Sequence, residues 1–266
     1  MVARVAQSAV LTVLTALMLT GCGRQVSQES LQDLDLLATG PDRNAVPTPR
    51  PFVSAVIDAA GGLAAWEQCK EIAFHGAVTA CERSGCFYLT EHDFVVCPWS
   101  DAIQITAREP RADFTWQVVN GRYLVRQADP NLDVSPLRGL SREYADAVLQ
   151  IATAPVRLLD NRVILTRRPD LVQVTGQWYL PIDAKYQAGE TGAYWTQGTY
   201  FQSQDKSLVD MIWLGNPTTQ KFLIVRGYDY VKNTDSGVLT PTKIEVFQSD
   251  PDESLGPRFA LVDLKL

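Results

Sequence analysis

From Glu71 onward the chain breaks into short runs in which apolar and polar residues alternate, and it keeps that habit almost to its end. Alternation with period two puts every second side chain on one face of a strand. The runs cover 71–82, 86–96, 101–109, 113–119 and 122–128, then 162–166, 171–186, 193–203, 208–214, 221–232, 238–248 and 258–266. Turn chemistry separates them. Asn120-Gly121 is the strongest short hairpin signal; Ser84-Gly85, Gly189-Glu190-Thr191-Gly192, Gly215-Asn216-Pro217 and Ser236-Gly237 are weaker ones. Successive strands with short turns imply an antiparallel meander, and a long twisted sheet of this kind curls, shielding one face. The expected fold class is mainly β (α+β), a curled antiparallel sheet.

Two helical segments interrupt the pattern. Phe52, Val53, Val56, Ile57 and Ala60 recur at helical spacing, Gly61-Gly62 breaks the run, and Leu63 and Trp66 resume it. In mid-chain, Leu137, Leu140, Tyr144, Val148, Ile151, Pro155 and Leu158 form one stripe of a helix over 141–159. Ser141 suits its cap and Pro155 should kink it. Arg138, Arg142 and Asp146 lie on another face. Placed between two halves of a sheet, the stripe should pack on the concave face, where it either fills the core or closes a cavity as a lid.

The N-terminal segment follows different rules. Arg4 precedes an uncharged, mostly apolar run of eleven residues, Ala9–Leu19. That is too short for a bilayer, which needs ~20 residues, and has the dimensions of a signal-peptide core. Leu19-Thr20-Gly21-Cys22 resembles the bacterial lipoprotein signal, in which cleavage precedes a cysteine bearing diacylglycerol. The resemblance implies removal of 1–21 and lipidation of Cys22. Two or three acyl chains such as palmitate, at ~0.8 kcal/mol per buried CH₂, then anchor the protein stably. Gly23 follows where some bacteria use Asp for inner-membrane retention, so by resemblance the outer membrane is favoured over the inner. Residues 22–50 read as lipidated cysteine and flexible tether, with a root-mean-square reach of roughly 30 Å, and 51–266 as the folded domain.

The net charge is −6, and no run of Lys or Arg occurs. Such a chain is a poor ligand for nucleic acid, whose binding rests on phosphate neutralisation. It is equally unsuited to charge-driven binding of anionic headgroups.

With Cys22 assigned to lipid, Cys69, Cys81, Cys86 and Cys97 remain, an even number that favours two disulfides in an oxidising compartment. A hairpin register with Cys81 opposite Cys86 also sets His75 opposite His92 and Thr79 opposite Tyr88. The nested bonds Cys81–Cys86 and Cys69–Cys97 are therefore expected, the second needing a bulge. Zinc is not: the His pair lies ~20 Å along the strand from the Cys81/Cys86 pair, whereas zinc ligands sit ~2.0–2.3 Å from one ion. No cofactor or metal is expected, and the histidines read as a cross-strand polar pair.

Nor is an enzyme expected. There is no G-x-S-x-G, no H-E-x-x-H and no phosphate-binding glycine loop. Both histidines of the chain fall on one hairpin, which makes a Ser-His-Asp set hard to assemble. Asp250-Pro251-Asp252-Glu253-Ser254 resembles the start of a calcium loop but lacks its glycine, and Leu261 stands where the bidentate Glu belongs. The aromatics Trp178-Tyr179, Tyr194-Trp195, Trp213 and Tyr228-Asp229-Tyr230 read first as strand formers and core fillers.

The order of elements resembles the LolA/LolB-type lipoprotein-carrier fold. The stretches that carry the likeness are Ala59-Ala60-Gly61-Gly62-Leu63-Ala64-Ala65-Trp66 before the first strand, the helix 141–159, and Ser207-Leu208-Val209-Asp210. The resemblance implies a half-barrel of about eleven strands with an N-terminal helix and a mid-chain lid helix, and a lipid or acyl chain as ligand. Read onto the helix stripe, the lid face offers Leu140, Tyr144, Val148, Ile151 and Leu158 as ligand contacts. Two functions follow. One is a lipid-anchored, periplasm-facing binding protein that holds a lipid or lipoprotein acyl chain. The other is a structural lipoprotein with a filled core and an envelope protein partner.

Overall fold

The structure, a computed structural model, describes residues 49–81, 87–108, 113–119, 122–127, 141–186 and 194–265. All of these elements fall within one compact unit, Leu37–Leu266. The described residues begin with two short helices, α1 (Pro51–Ala59) and α2 (Leu63–Gln68). Pro51 starts α1 where a missing N–H costs nothing. Gly61 and Gly62 end it with φ of 115° and 87°. Gly61 is also pressed against the chain: an added Cβ would stand 2.8 Å from the Gly237 carbonyl oxygen. Val53, Val56, Ile57, Ala60 and Trp66 are buried, as the helical spacing predicts.

Five strands follow: β1 (Ile72–Cys81), β2 (Phe87–Cys97), β3 (Ala102–Arg108), β4 (Asp113–Val119) and β5 (Arg122–Gln127). After the helices α3 (Ser141–Ala152) and α4 (Ala154–Arg157) come β6 (Val163–Arg167), β7 (Val172–Val174), β8 (Gln177–Tyr186), β9 (Gln197–Ser203), β10 (Val209–Asn216), β11 (Lys221–Lys232), β12 (Leu239–Ser249) and β13 (Leu255–Lys265). They form one curled, wholly antiparallel half-barrel in the order β5-β4-β3-β2-β1-β13-β12-β11-β10-β9-β8-β6, with β7 paired to β8. Two meanders are thus zipped together where β1 meets β13. The far edges are β5 and β6, so the chain between them must pass from one edge of the sheet to the other, and α3 lies along that passage.

The strand pattern matches the sequence closely, with three corrections. The run 171–186 is not one strand: Thr175 (φ 48°) and Gly176 (φ 86°) turn it into the hairpin β7–β8. In the first hairpin, Cys81 pairs with Phe87 and His75 with Asp93, one residue away from the expected register. A one-residue slip exchanges the faces, so His75 and His92 do not face each other. His75 Nδ1 lies 2.7 Å from Asp93 Oδ1 on the outer side, and His92, opposite Gly76, is buried. Finally, neither expected bridge is found among the described residues: Cys69 and Cys97 are free, buried thiols, and Cys81 is a free, half-buried one. Cys69 caps α2 with its thiol 3.6 Å from the Glu71 carbonyl oxygen. Cys97 pairs with Ala102 on its other side. Burial raises both thiol pKa values, that of Cys97 to about 11. Cys22, Cys86 and Leu140 lie outside the described residues.

The two halves of the sheet are covered differently. Along β1 the burial alternates strictly, with Ile72, Phe74, Val78 and Ala80 inward. Along β10 every residue is buried. There Ile212 and Leu214 join the main core, while Met211 and Trp213 join a second cluster with Tyr179, Phe201 and Ile224 on the outer face. The β7–β8 hairpin supplies its cover through Val172 and Val174.

Gly227 on β11 lets α3 approach the sheet: a Cβ there would lie 2.6 Å from the Tyr230 hydroxyl and 3.2 Å from Ile151 Cγ1. Overfilling a packed site costs about 1–3 kcal/mol. Gly227→Ala is expected to lower unfolding stability by that amount, read as a reduced urea midpoint with an unchanged m-value.

Candidate functional site

The concave face is occupied by α3, and α3 has almost no solvent face. From Glu143 to Ala152 every residue is buried. The helix packs on β3, β4, β10, β11 and β12, so it touches both halves of the sheet. Its sequence explains this. Three alanines, Ala145, Ala147 and Ala152, allow close approach, and its charges, Arg142, Glu143 and Asp146, all fall in the first two turns. At the far end Thr153 breaks the helix. Its hydroxyl donates to the Leu149 carbonyl (2.6 Å) and accepts from Arg157 Nε (2.9 Å). Pro155 cannot donate to the carbonyl four residues earlier, so α4 begins as a separate turn, the kink the sequence predicts.

The apolar stripe is where the spacing puts it. Tyr144, Val148, Ile151 and Leu158 are at most 4% exposed and belong to the main core with Phe94, Ile105, Ile212, Val225, Ile244 and Val246. Full burial of such a side chain contributes ~1.5–3 kcal/mol.

Around this stripe runs a polar seam that the sequence did not reveal. On the β2 side, His92 Nδ1 and the Tyr144 hydroxyl are hydrogen-bonded at 3.1 Å. On the β9 side, the Tyr194 hydroxyl donates to Glu143 Oε1 (2.6 Å) and the Tyr200 hydroxyl to Gln150 Oε1 (3.1 Å). Lys221 Nζ reaches Glu143 at 3.3 Å. The Arg142 guanidinium lies 4.0 Å over the Tyr194 ring, and its Nε is 3.8 Å from Asp146 Oδ2. Below α3, Arg157 is ion-paired with Asp101, the residue after a 3₁₀ turn, Pro98–Ser100, with φ of 50°.

Burial sets the protonation of this seam. It lowers the His92 pKa to about 3, with Asp93 opposing and His75 adding to the shift. His92 is therefore neutral at physiological pH. Burial raises the Asp146 carboxyl to about 7, against the pull of Arg142 and Arg157. Burial alone would lower the Arg157 pKa, but Asp101 holds it above the ordinary arginine value.

Two cavities adjoin the seam. An inner chamber of about 60 Å³ is lined by Asp101, Asp146, Gln150, Arg157, Tyr186 and Trp195, among others. An outer one of about 270 Å³ opens between Pro98, Trp99, Val156, Leu159 and Arg162 and shares Asp101 and Arg157 with it. Among the described residues no three His, Cys, Asp or Glu side chains group as a metal site.

No family model and no curated protein matches this chain. Among solved structures it is similar to a LolA superfamily protein from Nitrosomonas europaea, at 7% identity over 83% of this chain and 93% of that one, TM-score 0.43. It is also similar to a DUF1329 family protein from Desulfovibrio piger, at 14% identity over 85% and 92%, TM-score 0.42. A third is a Vibrio parahaemolyticus domain described as an outer membrane lipoprotein-sorting protein, at 9% identity over 74% and 83%, TM-score 0.43.

Asp146 and His92 give the seam opposite pH signatures. Between its folded value of about 3 and the ordinary 6.5, His92 binds a proton only when unfolded, so acidification through that range destabilises the protein. Between 3.8 and about 7, Asp146 holds a proton only when folded, so stability is lost as pH rises. The two slopes oppose each other where they overlap. Asp146→Asn is expected to be the more stable protein at pH 8 by roughly 1–3 kcal/mol, with the advantage vanishing toward pH 4. Urea unfolding across that range checks it; a pH-independent difference would contradict the assignment.

Proposed function

We propose that this protein is a lipid-anchored carrier of the bacterial envelope that holds an acyl chain in the trough beneath α3. The observation that carries the reading is how α3 is seated. It crosses the concave face between the two edge strands of the sheet, with an apolar underside and a rim of polar contacts. Polar contacts exchange for water at little net cost, ~0.5–1.5 kcal/mol each, and a bound acyl chain would replace the apolar contacts that the helix gives up on displacement. Its displacement would bare a trough lined by Phe94, Ile105, Ile212, Val225, Ile244 and Val246, matched to hydrocarbon. Tyr144, Val148, Ile151 and Leu158, with Leu140 before them, would then cover the bound chain. The segment Leu19–Cys22 supports attachment by a lipidated Cys22 on the periplasmic side, with the outer membrane preferred on the strength of Gly23. The role is binding and transfer of lipid or lipoprotein acyl groups, without chemistry on them.

A second reading is favoured by one observation. The trough is filled, and the two cavities described lie below the ~300–1,000 Å³ usual for ligand sites. On that reading α3 is permanent core and the protein serves an envelope partner through its surface.

The test uses residues 23–266, incubated with envelope lipid and measured by native mass spectrometry before and after organic extraction. The carrier reading expects a discrete extractable lipid mass and faster hydrogen exchange in α3 when lipid is present. A clean apo mass with unchanged exchange overturns it in favour of the interaction protein.

A further inference from the structure

The concave face is not sealed along its whole length. Ile182 and Ala184 on β8 belong to the main core, and Tyr200, opposite Ile182 on β9, donates to Gln150 of α3. The β8–β9 register runs without a shift from Tyr179 to Lys185, and side chains at period two share a face. Leu180 and Trp178 therefore lie on the same face as Ile182, with Trp178 ~13 Å along the strand from it. Over that length exposure climbs from 0% at Ile182 to 47% at Trp178.

The β7–β8 hairpin forms this open lip. Its Val172, Val174 and Tyr179 turn to the outer cluster. Gln173, opposite Trp178, turns the other way, and by the same alternation so does Leu171, which is 39% exposed. Among the described residues, no other two of the most exposed large apolar side chains flank one hairpin. The turn after β9 adjoins the lip, since the Gln204 amide donates to the Trp178 carbonyl at 3.0 Å. The exposed charges next to it in the chain and in that turn, Arg167, Asp170, Asp205 and Lys206, cancel. A tryptophan and a leucine ringed by balanced charge suit the headgroup level of an uncharged bilayer, where Trp is enriched.

The start of the described chain lies on the same side of the sheet. Arg50 Nη1 donates to the Leu165 carbonyl on β6 at 2.8 Å. Leu165 pairs with Ala184, ~20 Å from Trp178 along β8. On the carrier reading the residues before Arg50 tether the domain to a lipidated Cys22 with a reach of roughly 30 Å. The lip is then within reach of the bilayer that holds the anchor. Such tethering gives effective concentrations on the order of millimolar, at which a small apolar patch suffices.

We propose that the β7–β8 lip docks on the membrane that carries the anchor, with Trp178 and Leu171 entering the headgroup region and the open end of the concave face turned to the bilayer. The proposal rests on the lipid anchor of the carrier reading, not on its acyl ligand.

The experiment binds residues 23–266, with an N-terminal hexahistidine tag, to phosphatidylcholine vesicles that contain a nickel-chelating lipid. Tryptophan emission is compared with and without bromine on the upper acyl carbons. The tag supplies the tether, so the result does not depend on lipidation of Cys22 or on lipid in the trough. The proposal expects bromine to quench a component of the emission that is missing in Trp178→Phe. Leu171→Asp should lower that component at least threefold with an unchanged urea midpoint, and phosphatidylglycerol should leave it unaltered. Absence of Trp178-dependent quenching overturns the docking lip, while the carrier reading stands or falls by the native mass measurement. Quenching that appears only with phosphatidylglycerol overturns the apolar mode of docking. Self-association without vesicles that Leu171→Asp abolishes assigns the patch to a second copy of the chain and overturns the membrane as its occupant.

Discussion

The pairing of β1 with β13 is the contact from which the architecture follows. Each meander alone would be an open sheet with two free edges. Joining the first strand to the last merges them into one sheet and moves the free edges to β5 and β6. Those two strands are connected through the α3–α4 segment, so the chain must cross the sheet. The inward curl gives it a sheltered side to cross on. The position of α3 is therefore a consequence of topology as much as of its own hydrophobic stripe, and it explains why a helix of twelve residues contacts both halves of the sheet.

A helix enclosed this way cannot keep a conventional wet face. Its polar residues need partners inside the protein, and for Arg142, Glu143 and Gln150 these come from residues late in the chain, while Asp146 pairs with Arg142 on the helix itself. Tyr194 and Tyr200 lie before and within β9, and Lys221 opens β11. The seam thus ties mid-chain residues to C-terminal ones, and its protonation is set by burial rather than by composition. His92 and Asp146 show the two outcomes: a base kept neutral and an acid pushed toward neutrality.

Much of the fold was legible in the sequence because period-two alternation reports burial directly. Strand positions, the Gly61-Gly62 break and the kink before Pro155 all come from local chemistry. The first hairpin register was legible only in part. Pairing Cys81 with Cys86 forced Phe74 opposite Asp93 and Gly76 opposite Glu91, polar residues on an apolar face; those misfits were the trace of the one-residue slip. The Thr175-Gly176 turn was missed because alternation runs straight through it. The polar seam was out of reach, since it depends on which strands flank α3. A weak trace existed in α3 itself: Ala145 and Ala147 flank Asp146, and no lysine supplies a solvated face.

The two-sided cover of the C-terminal half has a mechanical meaning. Strands β8 to β11 are clamped between the main core and the outer cluster of Tyr179, Phe201, Met211, Trp213 and Ile224, so bending them would break packing on both sides at once. Along β1 the alternating burial shows cover on one side only. Where β1 and β13 pair, both strands alternate buried with more exposed residues, so the two-sided cover does not reach that pairing. Any widening of the trough would therefore cost least in strands covered on one face, such as β1 and β13, and most in β8 to β11.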